Sequence, residues 1–190
     1  MKKVHRDPQT MLYPLPAVLV SCGSRPEEYN IITIAWTGII CSNPPMCYIS
    51  VRPNRHSYDI IKSSREYVIN LTTPDLLRET DWCGTRTGRK FNKFKQTGLT
   101  PVPAKQVSAP LIDEAPVHLE CRVEEIKPLG AHDMFISRIL GIQLDEDLVH
   151  EENGKIDLRR TDFITYVNGH YFSLGTLLDS FGFSARKKAR

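Results

Sequence analysis

No apolar run in this 190-residue sequence is long enough to cross a bilayer as a helix. The longest, Ile31 to Cys41, falls well short of the roughly 20 residues required, and Thr33 and Thr37 interrupt it. Lys2 and Lys3 precede an apolar stretch ending Leu19-Val20-Ser21-Cys22, in the manner of a lipoprotein leader. Pro14 and Pro16 break that stretch, however, and His5, Arg6 and Asp7 lengthen the charged part. It reads instead as the first strand of a cytoplasmic protein with no membrane partner. Cysteine is sparse, and its five copies (Cys22, Cys41, Cys47, Cys83, Cys121) include no C-x-x-C pair. That argues against a zinc site or a disulfide framework and for buried thiols in a reducing compartment; no metal is expected. A net charge of +3 is too small for a general nucleic-acid binder. Neither G-x-S-x-G nor H-E-x-x-H occurs, and adjacent acids such as Glu124 and Glu125 diverge on a strand, so they make no dyad. The Gly-rich dinucleotide fingerprint with its ribose-reading acid is missing too. There is no internal repeat and no low-complexity block. If the chain is an enzyme, its chemistry is expected to come from a bound cofactor rather than from a protein nucleophile.

What is present is concentrated between Asn30 and Asn54, NIITIAWTGIICSNPPMCYISVRPN. Two apolar, β-rich runs are joined by a tight Asn43-Pro44-Pro45 turn, and Arg52, Arg55, His56 and Ser57 follow at once. Such a hairpin, feeding a helix start rich in anion-binding groups, suits a flat phosphorylated ligand. Its ring plane can lie on strand backbone while its phosphate meets positive charge and free N–H groups.

The chain as a whole predicts one domain over residues 1–190, with a core of about 12–178 and a flexible basic tail, Ser184 to Arg190. Strands are expected over Leu15 to Ser21, Ile31 to Ile40, Met46 to Val51 and Glu66 to Leu71. Ser57 is expected to cap a short helix, Tyr58 to Ser64, with Ile60 and Ile61 inward; Thr73-Pro74-Asp75 starts a second helix. Pro101 to Pro116 reads as a connector. Val117 to Glu124 alternates apolar and polar, predicting one buried and one wet face, and His132 to Leu144 is its partner strand. Asp145 to Leu158 reads as an acidic surface loop, and Tyr166 to Tyr171 as a final hairpin. Short helices among at least six strands, without a βαβ repeat, predict a mainly β fold: an antiparallel, Greek-key-like barrel.

Three clusters invite a chemical reading. Arg52-Pro53-Asn54-Arg55-His56-Ser57 is a phosphate site in outline, or a surface turn with a capping serine. In CGTRTGRKFNKFKQTG, from Cys83 to Gly98, Thr87, Arg89 and Lys93 are placed to grip anionic oxygens over Phe91 and Phe94. The same pattern also describes a solvated amphipathic helix with core phenylalanines or, ranked third, a nucleic-acid contact. Trp36, Tyr166 and Tyr171 are platforms or hairpin filler. Cys83 lies beside the basic loop, where its thiol is either activated or buried and inert.

Taken in order, N-x-x-T-x-A-W (from Asn30), S-N-P-P (from Ser42), Y-I-S-V-R-P-x-R-H-S-Y-x-x-I (from Tyr48), E-Y-V-I-N-L (from Glu66) and C-G…T-G-R-K-x-N-K-F…G-L (from Cys83) resemble the flavin reductase-like family, in its flavoredoxin branch. The resemblance runs from about Leu12 to about Leu178. It implies an FMN-binding split β-barrel, usually a homodimer, that passes hydride or electrons between NAD(P)H and FMN or a small-molecule or redox-protein acceptor. A non-catalytic electron carrier is the alternative. By the same resemblance, Ala35, Trp36 and Thr37 would lie along the flavin ring, and Ser50, Val51 and Arg52 would approach ring and ribityl chain. Arg55, His56 and Ser57 would take the phosphate, and Cys83, Gly84 and Thr85 would give backbone contacts. Arg89, Asn92 and Lys93 would stand near phosphate or ring, with Lys93 as the charge that stabilises reduced flavin, and Tyr166 and Tyr171 would close the pocket. Thr87 and Asn92 stand where relatives often carry serine and aspartate.

Overall fold

The apolar hairpin forms, but its first strand is broken, and the break shapes the molecule. The structure, a computed structural model, describes residues 1–185; the expected basic tail lies almost wholly outside the described residues. Strands β1 (Leu15–Pro16), β2 (Val18–Cys22), β3 (Asn30–Ile34), β4 (Thr37–Ser42) and β5 (Pro45–Val51) precede helix α1 (His56–Ser64) and β6 (Glu66–Leu71). Helices α2 (Leu77–Thr85) and α3 (Lys93–Thr97) come next, then β7 (Pro101–Val102) and β8 (Leu111–Ile112). Two long strands, β9 (Val117–Pro128) and β10 (Asp133–Leu144), and a last hairpin, β11 (Ile164–Val167) with β12 (His170–Ser173), complete the fold.

Seven strands form one antiparallel sheet in the order β3-β2-β6-β9-β10-β5-β4. Its two edges, β3 and β4, are consecutive in the chain and separated only by Ala35 and Trp36. The sheet therefore has to curl until its edges meet, which gives a split barrel with Greek-key-like crossovers. At the split the backbone leaves the ladder, although the Trp36 carbonyl still accepts the Ser50 N–H at 2.9 Å. A second, three-stranded sheet has the order β1-β11-β12.

Ile49, Tyr67, Cys121 and Phe135 are fully buried inside the barrel. A second apolar layer lies outside it, where Leu19 and Ile31 meet Leu76, Cys83 and Phe94 of the helical segments. Every residue of β2 is buried for that reason, so Val18-Leu19-Val20 is apolar without alternation and the polar Ser21 is buried with its hydroxyl donating to the Pro110 carbonyl. Helix α1 packs Ile61 into the barrel and stops at Arg65, whose left-handed backbone returns its N–H to the Ile61 carbonyl. Ile61→Val removes one buried methylene and is expected to cost about 1 kcal/mol, read from the shift in the urea unfolding midpoint.

Three expectations need correction here. The strand expected over Ile31 to Ile40 is two strands that belong to opposite sheet edges. The Ser57 cap is not formed: α1 begins at His56 with Arg55 in the capping position, and Ser57 is buried within the first turn. The wet face of β9 is only half wet, since Arg122 and Glu124 are exposed but His118 and Glu120 are buried. The cause is the proline-rich connector, which pairs β7 with β8 and wraps over this face. Its Gln106 N–H donates to Glu120 Oε2 at 2.5 Å, and its Ile112 N–H donates to Asn70 Oδ1 at 3.1 Å. His118 Nδ1 stands 2.8 Å from that same Asn70 oxygen, and burial pushes its imidazole below the usual histidine range. Among the described residues, no helix is long and apolar enough to cross a membrane.

Candidate functional site

Four separate stretches of chain converge beside the first turn of α1. Asn30 opens β3, and its Nδ2 donates to Ser57 Oγ at 2.7 Å, tying the barrel edge to the helix. The loop from Arg52 to Arg55 brings two guanidinium groups to the same place, and His56 and Ser57 follow on α1. The loop after α2 contributes Arg86, Thr87 and Gly88, and α3 contributes Lys93. Together they enclose a cavity of about 300 Å³.

Local sequence explains how Lys93 comes to point inward. Asn92 caps α3, its Oδ1 accepting the Lys95 N–H at 3.0 Å, and Gly98 ends the helix in the left-handed conformation. Phe94 anchors the turn in the outer apolar layer. Lys93 is thereby drawn in until it is only 3% exposed, with Nζ donating to the Cys83 carbonyl at 2.5 Å. Gly88 is held as closely: a Cβ there would lie 2.2 Å from Asn30 Oδ1 and 2.6 Å from His56 Cδ2.

The electrostatics are one-sided. Among the described residues, the wall carries Arg52, Arg55, Arg86 and Lys93 and no carboxylate. Burial, with Arg55 adding to it, pushes the Lys93 amine down to about 8. Burial also raises the Cys22 thiol to about 12 and the Cys83 thiol to about 11, so neither supplies a thiolate and the inert reading of Cys83 holds. His56 sits below the usual histidine range through burial and the nearby Arg89. The three arginines are exposed, but Lys93 is a buried cation, which is costly without a counter-charge unless an anion completes it. The donor set fits a phosphate group: guanidinium, ammonium, imidazole and hydroxyl around a small cavity.

Of the residues singled out in the sequence, Arg52, Arg55, His56, Ser57, Cys83, Thr87 and Lys93 line this cavity. Others stand off its wall. Ala35 and Trp36 form the split itself, Thr37 Oγ1 donates to the Tyr48 carbonyl at 2.6 Å, Ser50 pairs with Trp36, and Val51 is buried in the barrel. Gly84 lets α2 approach β3, since a Cβ there would sit 3.2 Å from that of Thr33. Thr85 Oγ1 donates to the Trp82 carbonyl at 3.2 Å. Arg89 reaches the exposed Asp59 at 3.5 Å, and Asn92 is spent on its cap. Tyr166 and Tyr171 pack on each other in the three-stranded sheet, with the Tyr171 hydroxyl donating to Asp81 Oδ1 at 3.2 Å. Asn54, from the same Arg52–Ser57 cluster, also lines the cavity, whereas Asn30, Ile32, Arg86 and Gly88 were not singled out as wall residues. Arg86 and Gly88 carried a local signal within the basic stretch after Cys83, and Asn30 opens the N-x-x-T-x-A-W pattern; Ile32 carried none.

The class of protein is defined by a curled antiparallel sheet, a split barrel, that carries a cationic pocket beside a helix start. Comparison with known proteins gives the class its name. The model of the flavin reductase-like domain matches residues 10–175, and the chain belongs to that family of flavin-linked redox proteins. An uncharacterized protein of Pyrococcus abyssi is 31% identical over 162 residues, covering 85% of this chain and 91% of its own. Among solved structures, the flavoredoxin of Desulfovibrio vulgaris (Miyazaki F) superposes with a TM-score of 0.88 at 29% identity, covering 98% of this chain and 100% of that one. Component B of nitrilotriacetate monooxygenase from Bacillus cereus shares the fold, with a TM-score of 0.82 at 21% identity over 95% of this chain and 98% of that one.

Proposed function

We propose that this chain is an FMN oxidoreductase that accepts hydride from NAD(P)H and hands electrons to a small acceptor, with the FMN phosphate in the cationic pocket. The observation that carries the reading is the buried Lys93 ammonium, set among Arg52, Arg55 and Arg86 with no carboxylate on the wall. FMN supplies the two-electron chemistry when bound; the chain binds, orients and shields it. Arg55 and Ser57 take phosphate oxygens; Lys93, expected from the resemblance to stabilise reduced flavin, is assigned to the phosphate instead because it shares their wall; and Trp36, 36% exposed beside the split, offers its ring face to the flavin. The double change Arg55→Ala with Ser57→Ala is expected to weaken FMN about tenfold or more by equilibrium titration. Unchanged affinity would remove the phosphate assignment.

A second reading has its own support in the 29% identity to a flavoredoxin: a carrier that holds FMN and exchanges electrons with partner proteins. Stopped-flow mixing with NADH and with NADPH separates the two. Rapid bleaching of the flavin bands by either nucleotide supports the oxidoreductase. Bleaching only by a chemical or protein donor supports the carrier.

The reading includes a homodimer in the cytoplasm. Ile39 and Ile40 are exposed on edge strand β4, and Leu174, Leu177, Leu178 and Phe181 are exposed near the C-terminal end of the described residues. Apolar surface of this kind is what a second copy covers. The five free cysteines fit a reducing compartment. Light scattering that gives the monomer mass at micromolar concentration would contradict the dimer.

A further inference from the structure

One contact at the pocket mouth involves a residue that belongs to none of the sequence clusters. His132 is the last residue of the turn joining β9 to β10, where the Leu129 N–H donates to the His132 carbonyl at 3.0 Å. Val51 pairs with Asp133 in the β5–β10 ladder, so Arg52 and His132 are the next cross-strand neighbours beyond it. Side chains alternate along both strands, and Val51 and Asp133 point into the barrel, so Arg52 and His132 share the outer face. Trp36 reaches that face from the split. Its ring lies 4.5 Å from the imidazole, centroid to centroid, at 39°. The Arg52 Nε–H donates to His132 Nε2 at 3.3 Å.

We propose that His132 is a positioning residue: as a neutral imidazole it holds Arg52 at the mouth of the anion pocket and backs the Trp36 ring, and on protonation it releases Arg52. The proposal rests on the reading of that pocket as the flavin phosphate site. The chemistry is set by the acceptor. Nε2 receives the Arg52 hydrogen only while it is unprotonated, which fixes the neutral ring in its Nδ1–H tautomer. An added proton would set N–H against N–H and cation against cation. The charged groups facing the ring are Arg52 and Arg55 from the loop after β5, while Trp36 from the split is uncharged. Asp133, next in sequence, is turned inward and accepts the Tyr58 hydroxyl at 2.6 Å. Burial and the two arginines hold His132 below the usual histidine range, so the latch is closed at neutral pH.

Two measurements on the full chain test this. In nitrogen-detected NMR of the purified protein at pH 7.5, His132 is expected in the Nδ1–H tautomer, and Arg52→Ala is expected to remove that preference. An Nε2–H tautomer in the wild type would overturn the proposal whether or not flavin binds. The second measurement is FMN affinity at pH 7.5 for two variants. His132→Phe keeps an aromatic ring against Trp36 but offers no acceptor, and it is expected to weaken FMN about tenfold, the scale of one misplaced charged contact. His132→Gln keeps an acceptor that cannot titrate, and it is expected to stay within about twofold of wild type. Wild-type affinity in His132→Phe, or equal losses in both variants, would overturn the positioning role. A wild-type chain that binds no FMN would instead defeat the pocket reading, and the NMR result then decides the Arg52 contact alone.

Discussion

Replacing Lys93 with methionine is expected to weaken FMN binding at pH 7 by about a hundredfold, two tenfold steps of affinity for the loss of a buried charged donor. The same change is expected to make the flavin-free protein more stable, by about 1 kcal/mol, since the methionine spares the fold a buried cation. Loss of binding and gain of stability have one cause: an ammonium only 3% exposed, on a wall that carries no carboxylate. The sign of the pH dependence follows from the same group. The amine titrates at 10.5 ordinarily and at about 8 in the fold. Between those values the unfolded chain binds more protons, so the Lys93 contribution makes stability rise with pH across that window and leaves it lowest below about 8. FMN affinity runs the other way and falls as pH climbs through about 8, because the neutral amine no longer attracts the phosphate. Chemical denaturation of the flavin-free protein from pH 7 to pH 10 checks this; a stability curve identical in wild type and Lys93→Met would contradict it.

Gly88→Ala is the second large effect. A Cβ at this position would overlap Asn30 Oδ1 at 2.2 Å and His56 Cδ2 at 2.6 Å. Asn30 is itself buried and holds Ser57 through its amide, so it yields only by giving up that bond. Either the loop from Arg86 moves outward or Ser57 loses its fixed orientation, and the pocket is lost both ways. FMN affinity is expected to fall by more than about tenfold, the cost of misplacing a charge-assisted contact. The unfolding midpoint should shift little, because the loop is at the surface and Gly88 does not require a left-handed backbone. A variant that binds FMN as wild type does would show that the loop is not held against Asn30 in solution.

The readable parts of this sequence were those fixed by neighbours in the chain. Glu66–Leu71 formed as expected, and the Asn43-Pro44-Pro45 turn joins β4 to β5 as the local pattern required. The arginines, His56 and Ser57 lie together because they are consecutive around a helix start, and so the anion site was legible in outline. What was not legible depends on long-range packing. Asn30 becomes a wall residue only because the barrel edge meets α1, and Arg86 and Gly88 arrive on a loop whose course α2 and α3 set. Asn92 reads as a site residue from its motif, but its side chain is consumed by a cap. His118 and Glu120 look solvated in an alternating pattern until the connector covers them, which no period-two rule reports. The break at Ala35 and Trp36 is likewise invisible to propensity, because closure of the sheet imposes it and neither residue does.

The central claim is that the cationic pocket takes the phosphate of a flavin nucleotide. Titrating the flavin-stripped protein with FMN and, in parallel, with riboflavin tests it most directly, since the two ligands differ only in that phosphate. The pocket predicts FMN bound at least about a hundredfold more tightly than riboflavin, with inorganic phosphate competing and the gap shrinking in Lys93→Met. Equal affinity for the two ligands, or a gap that Lys93→Met leaves intact, would contradict the account.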